Sequence, residues 1–139
     1  MEALNKAKMM LKEGYTCVLC GENKTYTATA RGISPVLLFL DMGEDFSSFC
    51  AADKVVGKAT AFVYVLLRVR AIYAPVMSYA ALEILRENGI CAEYEVLTEA
   101  VLNHKKDGLC PMETATLHIS SPEEALSAIR AALERLRKA

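Results

Sequence analysis

Apolar residues recur at helical spacing from Ala3 to Glu13, where Leu4, Ala7, Met10 and Leu11 share one face and Gly14 supplies the stop. The pattern then shifts to β-branched and aromatic runs. Tyr15–Cys20 and Lys24–Ala30 read as a hairpin turned at Gly21-Glu22-Asn23. Ser34-Pro35 offers an N-cap and a first-turn proline for a helix reaching Leu40 or Met42, closed by Gly43. Ala52–Leu67 is apolar nearly all round, which predicts a helix buried between other elements. A short strand at Arg70–Ala74, a helix at Ser78–Asn88 stopped by Gly89, and a strand at Ile90–Val96 follow. Thr98 can cap a short helix to about His104. Lys105–Met112 then reads as a polar loop centred on Asp107-Gly108, and Thr114–Ile119 as a further strand. Ser121-Pro122-Glu123-Glu124 opens the last helix with an N-cap, a proline and a capping-box glutamate, and Leu126, Ile129, Leu133 and Leu136 form its stripe.

Helices alternating with strands after an opening hairpin predict an α/β domain with a mixed five-stranded sheet covered by helices. No linker, repeat or low-complexity tract divides residues 1–139, so one domain is expected. A hydrophobic fraction of 53%, with only seven Gly and four Pro, excludes a disordered or collagen-like chain. Sixteen basic against seventeen acidic residues argue against binding nucleic acid through bulk charge, while leaving room for a local basic site. The longest apolar run, Ala59–Leu67, is interrupted by Thr60 and falls short of the ~20 residues a membrane helix needs. Nothing at the N-terminus reads as a signal peptide. Five irregularly spaced cysteines then imply reduced thiols and a cytoplasmic setting.

Asp53, Lys54 and Lys58 would stand at the head of the buried helix, the lysines four apart on one face. A helix N-terminus already carries about half a positive charge, so two cations there suggest that an anion comes to them. The alternative is that both reach solvent or pair with carboxylates. Asp53 itself can be a ligand contact or simply an N-cap. Arg31, ending a hairpin strand, can present its guanidinium to a phosphate or carboxylate, or make a surface ion pair. Cys110 is a candidate nucleophile with Glu113 as acid or base, set against the plainer role of a small hydrophobe beside Pro111. Neither His104 nor His118 can be paired with Cys110 from sequence, so no Cys–His dyad is assigned. Cys17 and Cys20, three apart on a strand, point to opposite faces and cannot share a metal or close a disulfide. Cys50 and Cys91 have no partners at ligand spacing, and Phe62, Tyr64 and Tyr73 read as core.

Three strings carry a family resemblance: Arg31-Gly32, the octapeptide from Ala52 to Ala59, and Asp107-Gly108-Leu109-Cys110-Pro111-Met112-Glu113-Thr114. On these the chain resembles the family catalogued as domain of unknown function 1893. The element order is similar to the three-layer cytidine-deaminase fold, with Ser34–Met42 as an insertion. Zinc deaminases hold their metal with a His or Cys two residues before a Glu, and with Pro-Cys-x-x-Cys, each at a helix start. The resemblance sets Ala51-Ala52-Asp53 on the first signature and Pro75-Val76-Met77-Ser78-Tyr79 on the second. Ala51, Val76 and Tyr79 then replace all three ligands, which implies no metal, no cofactor and no zinc-dependent deamination. Three readings stay open. The old cleft binds a small anionic, nucleotide-like ligand through Arg31, Asp53, Lys54 and Lys58. A non-zinc enzyme works through Cys110, Lys54 and Glu113. Or the chain is a structural module that pairs with a second copy of itself.

Overall fold

The structure is a computed structural model describing residues 2–102 and 108–138. Helix α1 (Glu2–Lys12) leads into a hairpin of β1 (Cys17–Cys20) and β2 (Thr25–Ala28), and α2 (Ser34–Asp41) follows. Next come β3 (Cys50–Asp53), β4 (Val55–Val56), α3 (Lys58–Leu67), β5 (Ala71–Ser78), α4 (Tyr79–Glu87) and β6 (Cys91–Thr98). The chain closes with α5 (Pro111–Thr116) and α6 (Pro122–Lys138).

The sheet is mixed and six-stranded. β1 runs antiparallel to both β2 and β3, whereas β3, β4 and β6 all run parallel to β5. β3 and β4 lie along the same side of β5 in one register, with Ala52 opposite Tyr73 and Val55 opposite Val76. That register sets the break at Lys54 against Pro75, which has no N–H to give a neighbouring strand. The two strands are one line interrupted at a proline.

One face of the sheet is covered by α1, whose Leu4, Ala7 and Leu11 pack on Val18, Cys20, Cys50, Ala52, Ala71 and Tyr73. The other face carries the larger core, with α3 at its centre touching α2, α4, α5 and α6. Burying Phe62, Val63, Tyr64 and Leu67 of α3 contributes roughly 1.5–3 kcal/mol per side chain, which makes this helix the main organiser of the core. Cys17 joins that core and Cys20 the opposite one, as period-two alternation requires. Phe62, Tyr64 and Tyr73 are core. No described helix is long and apolar enough to cross a membrane.

Several expectations need correction. The helix expected from Ala52 begins only at Lys58; Cys50–Asp53 is a fully buried strand and Val55–Val56 a second, short one. A strand covered on both faces shows no polar alternation and cannot be told from a buried helix by periodicity. Asp53 therefore ends a strand and is not an N-cap; Gly57 holds that position. Thr114–Ile119 is not a strand, because Pro111 opens a helix there and the Thr116 hydroxyl donates to the Met112 carbonyl at 3.0 Å. Thr98 ends β6 instead of opening a helix, and residues 99–102 are not helical; residues 103–107, with His104 and Asp107, lie outside the described residues. Leu136 is exposed, and the inner stripe of α6 is Ala125, Ile129 and Ala132. Ser34–Asp41 is helix, as expected, and connects β2 to β3. Neither Ala51–Asp53 nor Pro75–Ser78 opens a helix; both lie in strands.

Candidate functional site

At the carboxyl end of β3, a cleft of about 340 Å³ opens between the start of α2, the start of α3 and the segment that leads into α5. Its polar wall carries Arg31, Asp53, Lys54, Cys110 and Glu113, and its apolar wall Ile33, Val55, Val101 and Met112. Larger hollows exist, among them a groove of about 420 Å³ between α2 and α6. Chemistry, not size, selects this one.

Asp53 is 7% exposed and lies opposite Cys17 in the β1–β3 ladder. Tyr64, reaching down from α3, donates its hydroxyl to Asp53 Oδ2 at 2.8 Å, and the Cys17 sulfur lies 3.1 Å from the same hydroxyl. With the phenol's single proton given to Asp53, the thiol proton is left for the phenol oxygen or the Asp53 carboxylate. Burial pushes the Asp53 carboxyl up to about 7, against hydrogen bonds from Tyr64, the backbone N–H groups of Val55 and Lys54, and Cys17. Burial also raises the Tyr64 hydroxyl well above its ordinary range, and the nearby Asp53 charge adds to the effect. A carboxyl so placed can change protonation near neutral pH on the wall of a cleft.

Glu113 occupies the N-terminus of α3. Its carboxylate accepts the backbone N–H groups of Lys58 and Ala59; burial still raises its pKa, while those bonds and the Lys58 charge oppose the rise. This is the anion that a helix start favours, supplied by the protein itself. Gly57 makes it fit: a Cβ there would collide with the Glu113 carboxylate and come within 2.7 Å of Val101 Cγ2. In return, Lys58 Nζ donates to the Leu117 carbonyl at 3.0 Å, at the far end of α5. A carboxylate at one helix start and an ammonium at the other helix's end thus clamp α5 to α3.

A family model described as a domain of unknown function, DUF1893, matches residues 5–133. The chain belongs to the DUF1893 family. A solved DUF1893 family protein from Thermotoga maritima has the same fold, with a TM-score of 0.83 and 24% identity over 97% of this chain and 91% of that one. No curated protein matches the chain.

Of the residues singled out in this DUF1893 chain, the fold brings Arg31, Asp53, Lys54, Cys110 and Glu113 together and leaves Lys58 outside. Lys58 and Lys54 share no helix face, because Lys54 sits in the break between β3 and β4. Lys58→Ala is therefore expected to lower stability by about 1 kcal/mol through the lost bond to α5, without altering what the cleft binds. Urea denaturation and a ligand titration check the two halves separately. Glu113 is first a capping carboxylate, so its use as a free base would require giving up two backbone bonds. Cys110 is partly exposed at the N-cap of α5, and its carbonyl accepts the Thr114 N–H at 3.1 Å. His118 is exposed and absent from the cleft wall, and His104 lies outside the described residues. Among the described residues, no three His, Cys, Asp or Glu side chains come together as a metal site would need. Tyr64 and Cys17 are the partners that the sequence did not single out for Asp53.

Proposed function

We propose that this domain binds a small anionic, nucleotide-like molecule in the cleft and does not carry out zinc-dependent deamination. The observation that supports this is the convergence of Arg31, from the β2–α2 connection, with Asp53 and Lys54, from the end of β3, on a hollow whose other wall is apolar. Arg31 and Lys54 are both exposed and suited to a phosphate or carboxylate. Ile33, Val55, Val101 and Met112 offer a surface for a flat ring, and Asp53 an acceptor for an amino group. The volume lies at the small end of ligand sites, which favours a mononucleotide or sugar phosphate over a dinucleotide.

The deaminase-like plan belongs to this proposal. α2 and α3 both open on the cleft, as the two metal-bearing helices of a deaminase do, so the correspondence moves to Gly32-Ile33-Ser34 and Gly57-Lys58-Ala59-Thr60. None of these seven residues is a Cys, His, Asp or Glu, and zinc has no ligand set among them.

Thermal-shift screening of nucleoside monophosphates and sugar phosphates tests the reading. A ligand at one hundred times its Kd adds about 2.7 kcal/mol, several degrees in Tm. Arg31→Ala and Lys54→Ala should each reduce the shift sharply. If no compound stabilises the wild type, or the two variants respond as fully as it does, the proposal fails. A second reading, a non-zinc enzyme, is favoured by Asp53 alone, whose carboxyl sits near 7 in the cleft wall. It requires that Asp53→Asn keep ligand binding while losing turnover.

A further inference from the structure

The β1–β3 ladder sets Cys20 directly opposite Cys50, a pairing that the distance of thirty residues between them hides in the sequence. Both side chains lie on the face covered by α1. Directly opposed residues of antiparallel strands have Cα atoms ~4.5–5.5 Å apart, inside the range a disulfide spans. Cys50, only 1% exposed, borders a separate open groove of about 550 Å³, beside Lys6 and Arg70 and on the opposite side of the sheet from Tyr64, and Cys20 is fully buried. Burial pushes both thiols up; a hydrogen bond with Thr25 and then the Lys6 charge oppose this at Cys20, and the Arg70 charge at Cys50. The nearest other thiol along that row is Cys91, beyond Ala71 of β5. Two strand spacings put it about 10 Å from Cys50, too far for a bond. Cys17 points into the other core.

We propose that Cys20 and Cys50 form an oxidisable dithiol site, reached from this groove at Cys50, whose product is an intramolecular Cys20–Cys50 disulfide. The co-reactant is hydrogen peroxide. The Cys50 sulfur attacks the peroxide oxygen; the O–O bond breaks, Cys50 becomes a sulfenic acid, and the departing hydroxide takes the thiol proton as water. The Cys20 sulfur then attacks the sulfenic sulfur, and the hydroxyl leaves with the Cys20 proton as a second water. Two thiols lose two electrons and two protons, which the peroxide gains. The bond would close a loop holding β2 and α2, and with them Arg31 of the cleft.

Dilute wild-type protein treated with hydrogen peroxide, alkylated and digested with trypsin under non-reducing conditions tests this. Residues 13–24 and 32–54 should appear as one linked pair short of two hydrogens, with fragmentation locating the bond at Cys20 and Cys50. The same pair should form in Cys17→Ala and vanish in Cys20→Ser. A sulfinic acid on Cys50 without linkage, a bond from Cys50 to Cys17 or Cys91, or both thiols still alkylatable after exposed Cys91 has been oxidised would each overturn the proposal. The wild-type measurement alone decides it if a variant fails to fold.

Discussion

Gly57→Ala is expected to lower stability by about 2–4 kcal/mol, roughly 10 °C in Tm, although one methyl group is all that is added. The backbone is not the reason. Gly57 has φ −100° and ψ −174°, an extended conformation open to any residue. The new Cβ would instead claim the space held by the Glu113 carboxylate and crowd Val101. Glu113 would have to leave the start of α3, stripping the N–H groups of Lys58 and Ala59 of their acceptor. Alanine is also the poorer N-cap residue. Glu113→Ala alone should cost about 1–2 kcal/mol, because it removes the cap without a clash. The double variant should cost clearly less than the sum, since one carboxylate cannot be displaced twice. Urea denaturation of the four proteins measures the coupling. Strict additivity, or a Gly57→Ala protein within ~0.5 kcal/mol of wild type, would mean that Glu113 does not sit on α3.

That clamp also explains what could and could not be read along the chain. The hairpin and α6 were legible because their signals are local: a turn at Gly21-Glu22-Asn23, and Ser121 accepting the Glu124 N–H at 3.4 Å. β3 was not, because Cys50–Asp53 is buried on both faces and lacks the alternation that marks a strand. α5 was missed for the opposite reason. Thr114 and Thr116 favour a strand locally, but Glu113 and the Lys58–Leu117 bond hold the segment against α3. The error at the head of α3 carried Lys58 into the expected site. Arg31, Asp53, Lys54, Cys110 and Glu113 are identifiable by residue type, as charged or nucleophilic groups beside turns or at the head of an apolar run, and the fold does gather them. Tyr64 and Cys17 could not be, since their contact with Asp53 depends on how β1 registers with β3 and on which face of α3 meets the sheet. Cys20 and Cys50 face each other for the same reason.

The register that brings Cys17 opposite Asp53 also makes stability depend on pH. Between pH 5 and 8 the protein should become less stable as pH rises, and Asp53→Asn should flatten most of that fall. In the unfolded chain an aspartate ionises at ~3.9; in the folded chain burial holds Asp53 at about 7. Across the interval between, the folded state keeps a proton that the unfolded state has already released, so raising the pH favours unfolding. The contribution is fully favourable below the unfolded value, declines through the interval and is gone above about 7. At ~1.36 kcal/mol per pKa unit, the whole decline is at most roughly 4 kcal/mol. Glu113, also raised by burial, adds in the same direction and leaves a residual slope in the Asn variant. Asparagine keeps an oxygen for the Tyr64 hydroxyl but has no charge to bury, so at pH 8 it should match or exceed wild type. Asp53→Ala is the contrasting case. It takes the acceptor from the Tyr64 hydroxyl and the Val55 N–H, while the Lys54 N–H keeps the Thr16 carbonyl at 3.2 Å; the cost should be about 2–4 kcal/mol at pH 5 and shrink as rising pH removes the Asp53 contribution from wild type. Urea denaturation at pH 5, 6, 7 and 8 separates the cases: equal slopes for wild type and Asp53→Asn would show that this carboxyl ionises at its ordinary value. The buried triad would then be plain scaffolding, with no proton to offer the cleft.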